Sequence, residues 1–422
     1  MSRRRIGVGG GSAGAFLAMI ACAAAAAVAG APPRVATTQR AVIAAEAFKP
    51  DDPVMKAPAA AKALSPTIVS AKFENLPALK AFAELAKLSG YTIEPYSGGG
   101  NNPTKYGNVS VTISNQPFWA AMREVCTRGN VSLYYYGDDE PGKILLMPSN
   151  YGQQNMMKAA SSIQGPYLSV VTNIDRVNTV NMGAPDQTDR KVNLQIHTFA
   201  EPKARPIQYS YQPVIDEAVD DNGNLMVPDA KDRQTNMQSN RGISWYAYVQ
   251  LPYPKSNPGK RIARVRGHID AKVQLQSEPW EIADPLKAAE TSKTIAGKKY
   301  TFKSLKPAEG GSGGGTEPRY TVELIVGRGA DEDPQQFQQT AFNTEPVLKL
   351  SDGSNGRYQS YSSGGSGGTD SVTRQFTFAR RNSGARASAD AEKTQPNKLV
   401  IELPTATQDV PIPFELVDMP MP

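Results

Sequence analysis

Two histidines, two cysteines and a few acidic clusters are the most obvious candidates that this 422-residue chain offers for acid–base, nucleophilic or metal chemistry. His197 and His268 fall on the polar side of alternating segments, where solvated imidazoles are expected. Neither has a second His or Cys at metal-ligand spacing, so no zinc or copper site is expected. Cys126 lies on the apolar side of a helical stretch, the setting of a buried and inert thiol. Carboxylates cluster at Asp138-Asp139-Glu140, Asp220-Asp221 and Asp331-Glu332-Asp333, all in turn-like segments where solvated charge is the expectation. Asp220-x-Asn222-x-Asn224 begins like an oxygen-ligand calcium loop. It then places Leu225 where a sharp-turn glycine belongs and Lys231 where a bidentate glutamate is needed. Asp221-Asn222-Gly223-Asn224 reads instead as a hairpin turn. The glycine runs Gly310–Gly315 and Gly364–Gly368 lack the Gly-Lys-Ser/Thr ending or following helix of a phosphate cradle. No catalytic, cofactor-binding or metal-binding residue is assigned. A glycosidase pair that converges only in the fold stays open, without a short motif to support it.

Aromatic side chains are the one feature with binding potential. In Val131 to Tyr136, alternation sends Val131, Leu133 and Tyr135 toward a core and leaves Tyr134 and Tyr136 on an open sheet face. Tyr246 and Tyr248 share the polar side of their strand in the same way. Exposed tyrosine pairs can receive a protein or a sugar, because each ring is apolar and ends in a hydrogen-bonding group.

A duplicated pattern positions the first pair. Asn75-x-Pro77-x-x-x-Ala81-Phe82-x-Glu84 recurs 40 residues later as Asn115-x-Pro117-x-x-x-Ala121-Met122-x-Glu124. Each copy follows a β-type run (Thr67 to Phe73, then Val109, Val111 and Ile113) and ends near a glycine, Gly90 or Gly129. Asn75 and Asn115 are expected as helix caps, with Pro77 and Pro117 tolerated in the first turn. The helical faces are read as Leu79, Phe82, Ala83 and Ala86, and as Phe118, Ala121, Met122 and Val125. The predicted fold class is α+β: a small βαββαββ module over residues 66–148, followed by a mainly-β antiparallel sandwich region over 165–422. The order, size and paired Asn-x-Pro helix starts resemble the secretin and TonB short N-terminal domain. The resemblance covers about 85 residues and implies a periplasmic docking or sensing role. No secretin barrel, receptor barrel or plug follows it, so pore formation and transport are not implied.

The β region is read from alternation. Val192, Leu194 and Ile196 alternate with Asn193, Gln195 and His197, and Trp245, Ala247 and Val249 with Tyr246, Tyr248 and Gln250. The longest run sets Val265, Gly267, Ile269, Ala271, Val273 and Leu275 against Arg264, Arg266, His268, Asp270, Lys272 and Gln274. One wet and one dry face per strand is the pattern of packed antiparallel sheets. It fits one sandwich or two, with 306–318 as the natural cut.

Ahead of the module, residues 1–29 read as a signal peptide: Arg3, Arg4 and Arg5, an apolar run from Ile6 to Val28, and cleavage between Ala29 and Gly30. Met19-Ile20-Ala21-Cys22 resembles a lipobox, but the apolar run continues past Cys22, which favours ordinary cleavage. Residues 30–65, rich in Ala and Pro, read as a disordered linker. No later stretch is long and apolar enough to span a bilayer. Losing the three arginines lowers the formal charge from +6 to +3, and no basic block suggests nucleic acid. The expected function is a non-enzymatic protein of the periplasm or cell envelope that docks to another envelope protein or glycan. A carbohydrate-active or other hydrolase, and a structural surface or scaffold component, are the alternatives. Oligomeric state is not encoded in any of these signals.

Overall fold

The computed structural model describes residues 44–45, 55–56, 58–96, 106–134, 142–149, 156–183, 188–233, 236–240, 242–308, 319–330, 332–334, 337, 341, 346–362, 370–380 and 395–422. The expected signal peptide with its Ala29–Gly30 cleavage site, Cys22, Tyr136 and the 138–140 acidic cluster lie outside them. Among the described residues no helix is long and apolar enough to cross a membrane.

The expected linker contains two structured pieces. Strand β1 (Ala44–Ala45) pairs in parallel with Ile163 and Gln164. Helix α1 (Pro58–Leu64) buries Ala60, Ala63 and Leu64. Proline at its first position and four alanines make this a favourable helix start. Its buried side is mostly alanine, which reads as linker composition when only apolar contrast is scored.

The duplicated module follows the predicted order: β2 (Ile68–Pro77), α2 (Ala78–Ser89), β3 (Thr92–Pro95), β4 (Asn108–Pro117), α3 (Phe118–Gly129), β5 (Val131–Tyr134) and β6 (Lys143–Pro148). Strands β2 and β4 pair antiparallel, and β3, β6 and β5 form a second small sheet in that order. The two copies hold each other. The Asn75 N–H donates to Ser110 Oγ at 2.9 Å, and Asn115 N–H to Ser70 Oγ at 2.8 Å. Ala78 N–H donates to the Gly107 carbonyl, and Phe118 N–H to that of Thr67. Each helix thus starts on a carbonyl supplied by the other copy. The asparagines are not helix caps: Pro77 and Pro117 hold the cap positions without side-chain cap bonds. Asn75 and Asn115 instead take φ of 47° and 50°, a left-handed geometry that asparagine tolerates better than most residues.

Helix α3 buries Phe118, Ala121, Met122, Val125 and Cys126 as expected, and Trp119 as well. The face of α2 is turned from the expected one: Ala78, Ala81, Phe82 and Leu85 are buried, whereas Ala83 is exposed. Gly129 is the last helical residue rather than the stop; a Cβ there would lie 2.7 Å from that of Ala78, and Asn130 makes the left-handed turn.

The β region is two sandwiches on one shared ribbon. The first sheet contains β7 (Ser161–Gln164), β8 (Tyr167–Val180), β9 (Thr188–Ala200) and β13 (Ser244–Pro252), in that order, with β13 at the edge. The facing sheet contains β10 (Pro206–Ser210), β11 (Val214–Asp220), β12 (Met237–Ser239), β14 (Arg261–Ala283), β18 (Pro346–Leu350) and β21 (Pro396–Pro420). Val192, Leu194, Ile196, Trp245 and Val249 meet Val265, Ile269, Val273, Ile412 and Phe414 between them. The second core lies between the far halves of β14 and β21 and a sheet ordered β15 (Thr291–Ile295), β16 (Lys298–Pro307), β17 (Arg319–Gly327), β20 (Ser371–Arg380) and β19 (Gly356–Ser362). The expected cut at 306–318 is therefore misplaced, because β16 and β17 on either side of it pair within one sheet. The division falls within the β14–β21 ladder, where the register shifts between Gln274 and Ser277. There each strand carries an extra residue, and buried positions on β14 change from odd (Val273) to even (Trp280).

The module is packed onto the outer side of the first sheet. Leu168, Val170, Phe199 and Ile243 share one core with Trp119 and Val125. Trp119 Nε1 donates to the Pro166 carbonyl at 3.0 Å, and its ring lies 5.9 Å from that of Phe199. Glu201, fully buried, accepts the Thr67 N–H on both oxygens and the Tyr91 hydroxyl at 2.7 Å.

Candidate functional site

Beyond the module's footprint, no described element covers the outer face of the first sheet, and its side chains fall into rows set by strand pairing. Tyr246 lies opposite His197; Tyr248 opposite Gln195, which lies opposite Asn173; Gln250 opposite Asn193, which lies opposite Asp175. Tyr246 is 44 % exposed. Its ring meets that of Tyr248 edge-on at 5.7 Å, and Tyr211 tilts against Tyr248 at 5.0 Å. The hydroxyl of Tyr248 accepts a hydrogen bond from Gln195 Nε2 at 2.8 Å, which fixes the ring's direction. Asp175 accepts the side-chain amides of Asn173 and Asn193, each at 3.1 Å. Asn193 Oδ1 is buried with no hydrogen-bond partner among the described residues.

The row ends at a cleft of about 630 Å³ beside the edge strand β13. Tyr248, Gln250 and Lys191 form one wall; Ile215 comes from β11, and Gln212, Val227, Asp229 and Arg233 from the loops around it. Tyr248 N–H donates to the Tyr211 carbonyl at 3.0 Å, tying this edge to the segment between β10 and β11. The Asp220–Asn224 turn closes the far end of β11. Asp220, although burial opposes its charge, accepts hydrogen bonds from Asn224, Gly259 and Asn222 that together hold its carboxyl below the usual range. It is a hairpin turn, as predicted, with its acceptor capacity spent inside the protein.

Charges around the cleft are balanced. Asp189 pairs with Lys191 at 3.0 Å, Asp229 with Lys231 at 2.9 Å, and Arg233 with Asp270. This cleft gathers titratable side chains that the sequence scatters, with two carboxylates and two cations among its lining. Nearby tyrosines also perturb one another. Burial first, then the neighbouring Tyr246, Tyr211 and Tyr248, push the Tyr209 phenol up to about 12.

The predicted residues divide accordingly. Tyr246 and Tyr248 belong to this site, whereas Tyr134 is on the module, half-buried and stacked on Tyr96 with ring centroids 3.7 Å apart. His197 is not solvated: it is 3 % exposed, stacked on Phe199 at 4.7 Å, and burial pushes its imidazole down to about 3. Alternation placed it outward correctly, but the module and Tyr246 cover that end of the face. His268 is partly exposed between Asp216 at 3.8 Å and Asp270 at 3.5 Å. Cys126 is buried as expected, and burial pushes its thiol well above the usual range. Among the described residues no group of three or more His, Cys, Asp or Glu side chains could hold a metal ion. Gln195, Asn193, Gln250, Tyr211 and the loop residues at 212 and 227–233 carried no sequence signal beyond their polarity.

No family model, curated protein or solved structure matches this chain.

Proposed function

We propose that this is an exported, non-enzymatic protein of the cell envelope that docks to another envelope protein or glycan, and that its docking surface is the tyrosine-lined edge of the first sandwich. The duplicated βαβ module, with its resemblance to the secretin and TonB short N-terminal domain, supports a periplasmic setting. The helical face that buries Trp119 is occupied by the first sheet, so the open surface lies elsewhere. The observation that carries the reading is the convergence of exposed Tyr246, the oriented Tyr248 and a cleft of about 630 Å³ on one sheet edge. Sites for small ligands are concave, with a few oriented polar groups among apolar ones. Capture from envelope extract tests it, with the mature protein and a Tyr246→Ser/Tyr248→Ser variant as baits. Loss of the partner by a variant that still unfolds cooperatively above the assay temperature is expected; equal recovery by both baits would overturn the placement. Export is tested by sequencing the mature N-terminus, expected at Gly30.

A second reading, hydrolysis, is favoured by one observation: Asp189 and Asp229 line the same cleft. Glycoside hydrolysis needs two carboxylates about 5–10 Å apart across the scissile bond. Turnover of any glycan that is abolished by Asp229→Asn would establish it in place of the docking reading.

A further inference from the structure

We infer that the ligand of this edge is a neutral oligosaccharide, lying along the rows of the outer face and entering the cleft at Tyr248; this rests on the docking reading above and names its ligand class. Three features select that chemistry. The first is the pairing of flat phenol rings with carboxamides. A ring such as Tyr246 offers an apolar surface to the C–H face of a pyranose. A carboxamide such as Gln250 offers a donor and an acceptor side by side, which suits neighbouring hydroxyls that both donate and accept.

The second feature is spacing. Tyr246, Tyr248 and Gln250 are alternate residues of one strand, so successive rows are about 6.5–7 Å apart. Repeating side chains at such a spacing suit a repeating ligand. Gln195 holds the Tyr248 hydroxyl, making it a positioning residue for the middle row. Asn193 beside it is held by Asp175 through its amide nitrogen, which fixes the next row in the same way.

The third is charge. Asp189, Asp229, Lys191 and Arg233 line the cleft, two of each sign, and each is already within an ion pair. Within the cleft no excess of either sign remains to favour a charged ligand, and Asp175 in the Gln250 row adds a negative charge that disfavours an anionic one. A protein hot spot is typically a packed, desolvated anchor pocket; here the middle rows carry amides. The cleft volume falls inside the range of about 300–1,000 Å³ typical of small-ligand sites.

An array of glucose, mannose, galactose and N-acetylglucosamine oligomers of about three to six units, sized to a site of that volume, tests this with the full mature protein, alongside uronic-acid oligomers. Binding to a neutral oligomer in preference to the uronic acids is expected. By calorimetry, Tyr248→Ala and Gln250→Ala should each weaken it about tenfold, the equivalent of one or two ligand contacts. Tyr248→Phe, which keeps the ring and loses the Gln195 bond, should weaken it less. Melting temperatures identify any variant whose fold is disturbed, and the Tyr248→Phe comparison then decides. Silence across the neutral set, preference for the uronic acids, or affinity indifferent to both alanine variants overturns the inference. If the array is silent but Tyr246→Ser/Tyr248→Ser still loses an envelope protein partner, the docking reading survives and the glycan inference alone falls.

Discussion

Replacing Glu201 tests how tightly the module is joined to the first sandwich. Its carboxylate is fully buried, accepts the Thr67 N–H at 3.0 and 3.1 Å and the Tyr91 hydroxyl at 2.7 Å, and lies 3.5 Å from Lys203 Nζ. Tyr91 reports the same setting: burial first, and then the Glu201 charge, raise its phenol well above the ordinary value. Hydrogen bonds to a charged group contribute about 1.5–3 kcal/mol each, and removing one partner of a buried charged pair costs about 3–5 kcal/mol. Glu201→Ala is therefore expected to destabilise the junction by about 3–5 kcal/mol, a large part of the ~5–15 kcal/mol typical of a domain. Glu201→Gln should cost only about 1–2 kcal/mol, because the network can invert. The amide oxygen keeps the Thr67 N–H, and the Tyr91 hydroxyl can accept from the amide nitrogen while donating to Thr67 Oγ1, 2.8 Å away. Urea unfolding gives the global cost, and amide hydrogen exchange in α2, α3 and the β9 end locates it. The reasoning is refuted if alanine changes stability by less than about 1 kcal/mol, or if glutamine is as damaging as alanine.

Gly267→Ala should break the β11–β14 pairing, since a Cβ there would lie 2.0 Å from the Val214 carbonyl oxygen; a loss above about 2 kcal/mol in urea is expected, and a neutral result would contradict the register. At Asn75 and Asn115, alanine should cost about 1–2 kcal/mol for its left-handed backbone and glycine little, measured by thermal unfolding; equal costs would point to a side-chain role instead. His197 has a folded value lowered to about 3 by burial, so the unfolded chain binds its proton more readily. Stability should fall as pH drops below the ordinary 6.5 and level off near 3, with a slope of up to about 1.4 kcal/mol per pH unit. His197→Gln should flatten that part of the acid titration, and an unchanged profile would refute the assignment.

Alternation carried the β region because it is enforced by the cores themselves: the Val192–Ile196 and Val265–Val273 positions are buried as read. The duplicated module was legible for the same reason on α3. On α2 the reading slipped because Leu79, only partly buried, adds apolar weight off the buried face and drew Ala83 with it. Asparagine misled at positions 75 and 115 because caps and left-handed turns draw on the same residue types. His197 and Glu201 depend on the module lying against β9, a contact between segments more than a hundred positions apart that local pattern does not encode. At the candidate site, Tyr246 and Tyr248 were visible as outward aromatics. The cleft was not, because half its wall comes from loops that meet β13 only in the fold.

The shared β14–β21 ribbon sets an order for folding. The first sandwich needs both strands, yet Arg261 and Asp418, in contact at one end of the ribbon, are 157 positions apart, with the second sandwich between them. Such long-range pairings close slowly, because the loop entropy is paid before the contacts form. The first core therefore stays open during synthesis until the segment that forms the second has emerged and β21 has followed it. For a chain proposed to leave the cytoplasm, late closure keeps a long polypeptide threadable, and postpones the shape in which β13 presents its tyrosines until synthesis of the ribbon is complete.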